Sequence, residues 1–392
     1  MGLQQITGNE IAAGSIAATD LASASITGDK LGATSINANN IVGGTITTTQ
    51  IASNTISNTN IQTGAIENYS RATGLLSGMR NKIINGAMVI DQRNAGAAVT
   101  PTADATYTLD RWKARLTQSS KYSVQQDSSA NTVAGFTSSL KVTSLSAYSV
   151  SASDFFVIQQ VIEGFNVADL GFGTANAKTI TISFWVRSSL TGTFGGSVYN
   201  DGGSRNYPFT YTISSANTWE QKSITIAGDT TGTWLTNSGA GLQLQIGLGV
   251  GSTYSGTAGA WAATNYLSAT GATSVVGTNG ATFYITGVQL EVGSTATSFD
   301  YRPYTTELQL CQRYYTFSPY GTTSYPSSGG YSRGYSSFKV TMRTTPTIAF
   351  VDAGSGGTSI GSSAYVDGLS NTYGSLSAAA AGTYSWTANA EL

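Results

Sequence analysis

The first part of the chain carries an apolar residue at every fifth position, and almost all residues between are Gly, Ala, Ser, Thr, Asn, Asp or Gln. The ladder consists of Ile6, Ile11, Ile16, Leu21, Ile26, Leu31, Ile36, Ile41, Ile46, Ile51, Ile56, Ile61 and Ile66. An α-helix is excluded, because five residues turn it by about 500° and spread the ladder around the cylinder. On a flat strand the same spacing sends alternate ladder residues to opposite faces. We therefore predict a chain that bends once per repeat.

One bend per repeat is typical of a β-solenoid or an intertwined β-prism whose ladder residues point at a shared axis. Burying one isoleucine contributes roughly 1.5–3 kcal/mol, whereas ordering five residues of backbone costs roughly 5–10 kcal/mol. Because a single ladder is a poor core, we predict that residues 1–66 form an oligomeric stalk, a homotrimer, with the ladder as its oligomer core. The alternatives are a monomeric quadrilateral solenoid of the pentapeptide-repeat type and a flexible low-complexity linker.

Beyond a predicted linker at 67–80, the pattern changes to short segments rich in β-branched and aromatic residues, separated by Gly, Asn and Ser. These segments are 82–90, 155–162, 178–187, 219–227, 241–250 and 282–292. Their spacing favours antiparallel strands in a sandwich or jelly roll. In one of them Ile180, Ile182, Phe184 and Val186 occupy alternate positions, which predicts one buried face and places Trp185 on the other.

Several motifs of the central region, in this order, resemble those of a bacteriophage tail-fibre domain. They are NKIING at 81–86, YTLDRW at 107–112, ITISFWVR at 180–187, GDTTGTW at 228–234, FYITGVQLEVG at 283–293 and YRPYTTELQLCQRYY at 301–315. The resemblance implies a jelly-roll module similar to carbohydrate-binding modules, carried on trimeric fibres or baseplate-associated proteins. The five-residue ladder is likewise similar to repeats that precede such modules.

The last part of the chain changes character again. Residues 318–335 are rich in Ser, Gly and Tyr, and a strand-like run follows at 338–342. The motifs RTTPTI at 343–348 and YSWTANAEL at 384–392 resemble the small β domain that closes many tail-fibre tips. We therefore predict an all-β chain: a repeat stalk at 1–66, a linker at 67–80, a jelly-roll domain like a carbohydrate-binding module at 81–315, and a C-terminal β tip at 316–392.

Charge and composition narrow the possible partners. The 19 basic and 20 acidic residues give a net charge of −1, so no long-range field attracts nucleic acid or an anionic membrane. No apolar run reaches about 18 residues, and the first ten residues lack the regions of a signal peptide. We expect neither membrane insertion nor export by such a peptide. The single cysteine, Cys311, excludes an intrachain disulfide framework and is expected to be a small buried hydrophobe.

The sequence carries no motif for catalysis, a metal or a cofactor, and we predict a protein that is not an enzyme. Histidine is absent, which removes the commonest general base and the commonest transition-metal ligand. Cleavage of a glycosidic bond requires two carboxylates at roughly 5–10 Å across one sugar. The carboxylates considered are Glu163, Glu220, Glu291, Glu307, Asp229 and Asp300, and their spacing singles out no pair.

Aromatic side chains are the candidate ligand-binding residues, because Tyr and Trp stack on sugar rings, donate hydrogen bonds and lose little entropy on binding. The candidates in the tip are Tyr320, Tyr325, Tyr331 and Tyr335, and those in the jelly roll are Trp234, Trp261 and Tyr266. The alternative for each of them is packing in the core.

Together these features predict a structural protein of a phage tail fibre that recognises the host by binding surface polysaccharide or lipopolysaccharide. Such a protein would be held by other tail or baseplate proteins through its N-terminal end. It would be assembled in the host cytoplasm and act outside the cell as part of the virion. The alternatives are a connector or decoration protein of the virion without receptor binding, and a polysaccharide-degrading tailspike.

Overall fold

The computed structural model describes residues 79–129, 133–200, 204–324, 332–352, 359–373 and 381–392, which belong to one compact unit. The ladder residues lie outside the described residues. The stalk, its apolar core and the trimer therefore stay predictions, as do the limits of the predicted domains. Among the described residues, no helix is long and apolar enough to cross a membrane.

Strands dominate the described part of the chain, which confirms the all-β prediction. The strands up to residue 256 are β1 (Thr106–Leu109), β2 (Trp112–Leu116), β3 (Tyr122–Asp127), β4 (Ser139–Ser144), β5 (Phe155–Glu163), β6 (Ile180–Ser188), β7 (Gly192–Tyr199), β8 (Asn206–Ile213), β9 (Glu220–Ile226), β10 (Ala240–Val250) and β11 (Ser255–Gly256). The later strands are β12 (Ser268–Ala269), β13 (Thr282–Val292), β14 (Tyr315–Ser324), β15 (Ser332–Ser337), β16 (Thr347–Asp352), β17 (Ser359–Ala364), β18 (Gly368–Tyr373) and β19 (Ala381–Asn389). One α-helix, α1 (Tyr304–Gln312), and two 3-10 turns, Gly164–Asn166 and Ala168–Leu170, complete the described elements.

Two antiparallel sheets form a β-sandwich, as the strand spacing predicts. The six-stranded sheet has the order β1-β2-β5-β10-β7-β8, and the five-stranded sheet has the order β3-β4-β13-β6-β9. Most neighbouring strands are distant in sequence, so long-range pairing decides which side chains meet.

The core of the sandwich lies between these two sheets. Strand β6 contributes Ile180, Ile182, Phe184 and Val186, all at most 1% exposed, while Trp185 points outward and is half-buried. Alternate residues of β5 and β10 enter the same apolar cluster from the opposite sheet. The period-two pattern therefore predicted correctly which face of β6 is buried.

Helix α1 follows the sandwich and leads into two three-stranded sheets, with the orders β14-β19-β16 and β15-β18-β17. Sequence analysis did not predict this helix. It buries Cys311 as expected, and burial raises the pKa of that thiol well above its usual value. The sheets beyond the helix have a small core of their own, formed by Phe338, Met342, Leu369 and Trp386 with two alanines.

A buried charge network, which we call the joint, connects the sandwich to these C-terminal sheets. It consists of Arg111, Glu163, Arg313, Tyr314 and Glu391. Arg313 Nη2 lies 2.6 Å from Glu163 Oε1, and the Tyr314 hydroxyl donates to Glu163 Oε2 at 2.7 Å. Arg111 pairs with Glu391, and its Cζ lies 3.5 Å from the centroid of the Tyr314 ring. Because four of these residues lie in motifs quoted above, part of the tail-fibre-like pattern has a structural role.

Residues 82–90 do not form the predicted strand, because asparagine side chains replace strand pairing there. Asn81 Oδ1 accepts hydrogen bonds from the N–H groups of Ile83 and Leu290 at 2.9 and 3.0 Å. The side chain of Asn85, a residue with a φ of 57°, is bonded to both the N–H and the carbonyl of Ile90. This motif is a turn that closes the sandwich.

The strand-like run at 338–342 is also not a strand. Phe338 and Met342 turn their side chains into the small C-terminal core, and their N–H groups donate to the carbonyls of Asp367 and Val366 at 2.9 and 2.7 Å. Its apolar residues therefore serve packing and not a sheet.

Candidate functional site

The outward side of the six-stranded sheet carries polar side chains that are buried, whereas most sheets expose such side chains to water. Along β10, Leu242, Leu244 and Ile246 enter the core, so Gln243 and Gln245 lie on the outward side. The register places Gln245 opposite Gln159 of β5. We call this surface the glutamine face, and it consists of Gln159, Gln243 and Gln245 with Lys113 and Arg115 of β2 and Ser197 and Tyr199 of β7.

Polar atoms of the glutamine face are buried, yet some have no hydrogen-bond partner in the described parts of the chain. Gln159 Nε2 donates to Gln243 Oε1 at 2.7 Å. In contrast, both amide atoms of Gln245 and the hydroxyl of Ser197 have none, although both residues are 0% exposed. Leaving such an atom unpaired costs about 1–3 kcal/mol, and native proteins normally satisfy it with water or a ligand. The glutamine face therefore has spare hydrogen-bonding capacity.

The two basic side chains of the glutamine face, Lys113 and Arg115, lie on β2. Arg115 Nε donates to Asp104 Oδ1 at 2.8 Å, and its Nη1 donates to Gln159 Oε1 at 3.4 Å. Burial opposes the charge of Arg115, but the hydrogen bond to Asp104 and its negative charge raise the pKa of this arginine. Burial and the charges of Arg115 and Arg111 lower the pKa of Lys113 to about 8. Near neutral pH both side chains remain mostly protonated, but Arg115 is paired with Asp104, and Lys113 Nζ donates to the carbonyl of Leu392 at 2.7 Å.

The segment 251–273 lies over the part of the glutamine face formed by β7 and β10. A Cβ atom on Gly195 or Gly247 would come within 2.5 or 2.8 Å of Ser268 Oγ, so glycine is needed at both positions for this close approach. In the same segment the ring of Tyr254 packs edge-on against Phe155, with 5.3 Å between centroids. The site thus combines a polar floor, an aromatic wall and a covering loop.

The structure brings the predicted residues Trp234 and Trp261 together in an aromatic cluster with Phe172. The two indole rings lie 5.6 Å apart between centroids, and Phe172 lies 4.9 Å from Trp234. Both indoles are partly buried against the main core, and both donate their N–H to backbone carbonyls, those of Thr231 and Ala227. These contacts are typical of packing residues, and a role in ligand binding stays a prediction for both.

The third predicted residue of the sandwich, Tyr266, belongs to the covering segment. Its half-buried ring lies against Gly256, where an added Cβ atom would come within 2.2 Å of the ring. This places Tyr266 in the loop above the glutamine face. A role of Tyr266 in ligand binding stays a prediction.

Of the tip tyrosines, Tyr335 on β15 is 58% exposed, and its ring lies over Gly368. The side chain of Tyr320, together with all of Tyr325 and Tyr331, lies outside the described residues. The structure therefore shows one accessible tyrosine of this group, and binding by the four stays a prediction.

Each carboxylate considered for sugar cleavage has a structural partner. Three of them pair with arginines: Glu163 with Arg313 at 2.6 Å, Asp229 with Arg205 at 2.7 Å, and Glu307 with Arg302 at 3.2 Å. The others are Glu220 with Lys222 at 2.6 Å, Glu291 with the hydroxyl of Thr297 at 2.6 Å, and Asp300 with the N–H of Asn81 at 3.3 Å. Among the described residues, no group of three acidic or cysteine side chains is arranged to hold a metal ion.

Sequence analysis selected aromatic residues and missed the glutamines. A signal was present, because β10 alternates leucine and glutamine on opposite faces. It was not sufficient, since an outward glutamine is ordinarily a solvated surface residue. Only the pairing of β10 with β5 and β7 shows that these glutamines are buried and adjacent.

No protein-family model and no curated protein matches the chain. Solved structures match part of its shape. The enzymatically active domain of tailspike protein 4 from bacteriophage CBA120 has 11% identity and a TM-score of 0.31, and the match covers 55% of this chain and 22% of that one. The carbohydrate-binding module TmCBM61, solved with β-1,4-galactotriose, has 11% identity and a TM-score of 0.28 over 55% of this chain and 99% of the module.

The family 11 carbohydrate-binding module from Clostridium thermocellum, solved with a mixed-linked tetrasaccharide, is 11% identical with a TM-score of 0.26, over 50% of this chain and 96% of the module. These matches are similarities of shape. They assign neither a ligand nor a role to this chain.

Proposed function

We propose that this protein binds a neutral glycan on its glutamine face, without cleaving it, as the adhesive part of a phage tail fibre. The observation that carries the proposal is the amide of Gln245, which is fully buried next to the paired amides of Gln159 and Gln243 and has no partner among the described residues. An amide offers two donors and an acceptor. Sugar hydroxyls both donate and accept, so a row of amides suits several hydroxyls at once.

The surroundings of the amides also suit a sugar. The aromatic residues Tyr199 and Tyr254 lie with Leu267 and Val157 in one cluster on this side of the sheet, and aromatic residues present apolar area for the C–H faces of a sugar ring. The ligand is expected to be neutral, because Arg115 is already paired with Asp104 and Lys113 Nζ already donates to the carbonyl of Leu392 at 2.7 Å.

The fibre role rests on the ladder and on the motifs that resemble a tail-fibre domain. A homotrimeric stalk would place three glutamine faces on one particle, and three weak sites acting together give strong attachment to a surface that carries many copies of a glycan. Binding without cleavage is supported by the structural partners of the six carboxylates, since a pair that acts on a sugar must be free to face it.

The test uses the full-length protein on a glycan array, followed by calorimetry with the best neutral oligosaccharide. Gln245→Leu keeps the size of the side chain and removes its hydrogen bonds, so we expect at least a tenfold loss of affinity. The control is Gln309→Leu, which changes an exposed glutamine of α1.

Two results would overturn the proposal. Unchanged affinity in the Gln245→Leu protein would mean that the glycan binds elsewhere. An array without any bound glycan would favour the alternative of a connector or decoration protein without receptor binding. Release of oligosaccharide from host polysaccharide would instead support the tailspike alternative.

A further inference from the structure

The opposite outward side of the sandwich, on the five-stranded sheet, carries a row of cationic and aromatic side chains. The register pairs Lys141 of β4 with Tyr284 of β13, and Tyr284 with Arg187 of β6. Their neighbours along each strand, among them Val142, are core residues, so the three lie on the outward side. All three are half-buried. We call Lys141, Tyr284, Arg187 and the adjacent Trp219 the outer row.

Both cations of the outer row lie near the ring of its tyrosine. Arg187 Cζ lies 5.0 Å and Lys141 Nζ lies 5.8 Å from the centroid of the Tyr284 ring, within the range of cation–π attraction. Trp219 meets Tyr284 at 6.2 Å with the ring planes at 66°. The two positive charges are therefore oriented on one ring beside an indole.

The two cations of the outer row, Lys141 and Arg187, have no acidic partner within the described part of the chain. None of the ion pairs among residues 79–129, 133–200 and the other described ranges includes Lys141 or Arg187. Glu220, next to Trp219 in the chain, is occupied by Lys222 and by the N–H groups of Ser214 and Ser215. In addition, Arg187 Nε is shielded from solvent and has no hydrogen-bond partner among the residues that the structure describes.

A purely structural role explains these facts only in part. Cation–π contacts at an exposed site contribute about 0.5–1 kcal/mol each, which is enough to order the side chains. Two cations on one ring repel each other, however, and a guanidinium with a buried, unpaired N–H is costly. An anion between Lys141 and Arg187 removes the repulsion and gives the guanidinium an acceptor of opposite charge.

We infer that the outer row is a second binding site, specific for an acidic sugar whose carboxylate or phosphate lies between Lys141 and Arg187. An acidic sugar is favoured over an acidic peptide because it carries the anion and an apolar ring face in one rigid unit. The indole of Trp219, next to the cations, provides the matching apolar surface. This site lies on the other sheet from the glutamine face and takes the opposite class of glycan, charged and not neutral.

The experiment compares trigalacturonate with neutral galactotriose, using calorimetry on the full-length protein at low salt and at high salt. Trigalacturonate should bind, and more weakly at high salt because its anion is screened. Arg187→Gln and Lys141→Gln should each weaken trigalacturonate at least tenfold, whereas Arg187→Lys should keep part of the affinity. Lys178→Gln, which neutralises an exposed lysine before β6, is the matched control.

The inference is wrong if neither glutamine variant changes the affinity for trigalacturonate, if a glutamate trimer binds as tightly, or if Lys178→Gln has the same effect. Inorganic phosphate is the probe for the phosphate form, and it should compete with trigalacturonate. A melting temperature equal to that of the parent protein excludes unfolding as the cause. The two sites fail separately, because Gln245→Leu should leave trigalacturonate binding intact and Arg187→Gln should leave the glutamine face intact.

Discussion

The joint and the glutamine face are two buried polar regions of the same sandwich, and they differ in whether their buried polar atoms have partners. In the joint, the carboxylates of Glu163 and Glu391 are both held by arginines. In the glutamine face, the amide of Gln245 is equally buried and has no partner among the described residues. The difference separates polar groups that connect parts of the fold from polar groups to which we assign a ligand.

The physical reason lies in the cost of burial. A neutral amide without a partner costs about 1–3 kcal/mol, which a stable domain tolerates at a binding site. A buried charge without its partner costs about 3–5 kcal/mol, which a domain with a total stability of about 5–15 kcal/mol tolerates poorly. Spare hydrogen-bonding capacity is therefore built from glutamine and serine, while buried charges occur in pairs.

The largest expected effect comes from breaking the joint. Arg111→Met keeps an apolar stem but leaves Glu391 with one arginine, Arg93, whose Nη2 lies 3.0 Å from Oε1, and leaves Tyr314 without its cation. The free energy of unfolding should fall by about 3–5 kcal/mol, measured by urea unfolding followed by fluorescence. Lys178→Met, at an exposed site, is the control. A loss below about 1 kcal/mol would show that the joint does not hold the C-terminal sheets.

A second effect is the pH dependence caused by Asp110, next to the joint. Burial raises its pKa to about 6, against hydrogen bonds from Gln92 that act in the other direction. The folded protein therefore binds this proton more tightly than the unfolded chain does. Stability from this group is full below about pH 4 and is lost as the pH rises through about 6, a change of about 3 kcal/mol.

Asp110→Asn removes this titration. The stability of the variant relative to the parent should therefore increase between pH 4 and pH 7, as measured by urea unfolding at several pH values. Comparing the difference across pH cancels any constant loss from altered hydrogen bonds to Gln92. A difference that does not vary with pH would contradict the raised pKa.

The third prediction is an increase in the free energy of unfolding. Because Gln245 has an unpaired buried amide, Gln245→Leu should raise the free energy of unfolding by about 1 kcal/mol while it removes glycan binding. The control Gln309→Leu should change stability by less than about 0.5 kcal/mol. Destabilisation by Gln245→Leu would mean that ordered water already satisfies this amide, and the contrast with the joint would disappear.

The smallest effect on stability is expected at the tip. Tyr335 is 58% exposed, so Tyr335→Ala should change the free energy of unfolding by less than about 0.5 kcal/mol. If the predicted tip tyrosines contact the host, this variant should still weaken attachment to host cells several-fold. Equal attachment by Tyr335→Ala and the parent would leave the two faces of the sandwich as the binding surfaces.

The period-two pattern in β6 was sufficient to predict the strand and its buried face, because alternation depends only on local backbone geometry. The turn at 82–90 was not predictable in this way. Its apolar residues resemble a strand, and the deciding hydrogen bonds run from Asn81 to Val288 and Leu290, more than 200 positions away. Helix α1 was missed for a related reason, since its buried residues include Glu307 and Gln312 and form no apolar stripe.

The sequence by itself determined the class of the fold, the buried face of β6 and the absence of histidine chemistry, because composition and alternation are properties of the chain alone. Only the tertiary structure decided which outward residues become neighbours. Gln159 and Gln243 are 84 positions apart and meet because β5 pairs with β10, and Lys141 and Arg187 flank Tyr284 because β4 and β6 both pair with β13. Sheet pairing joins distant segments through backbone hydrogen bonds that are nearly the same for every sequence. No local sequence pattern therefore predicts the glutamine face or the outer row.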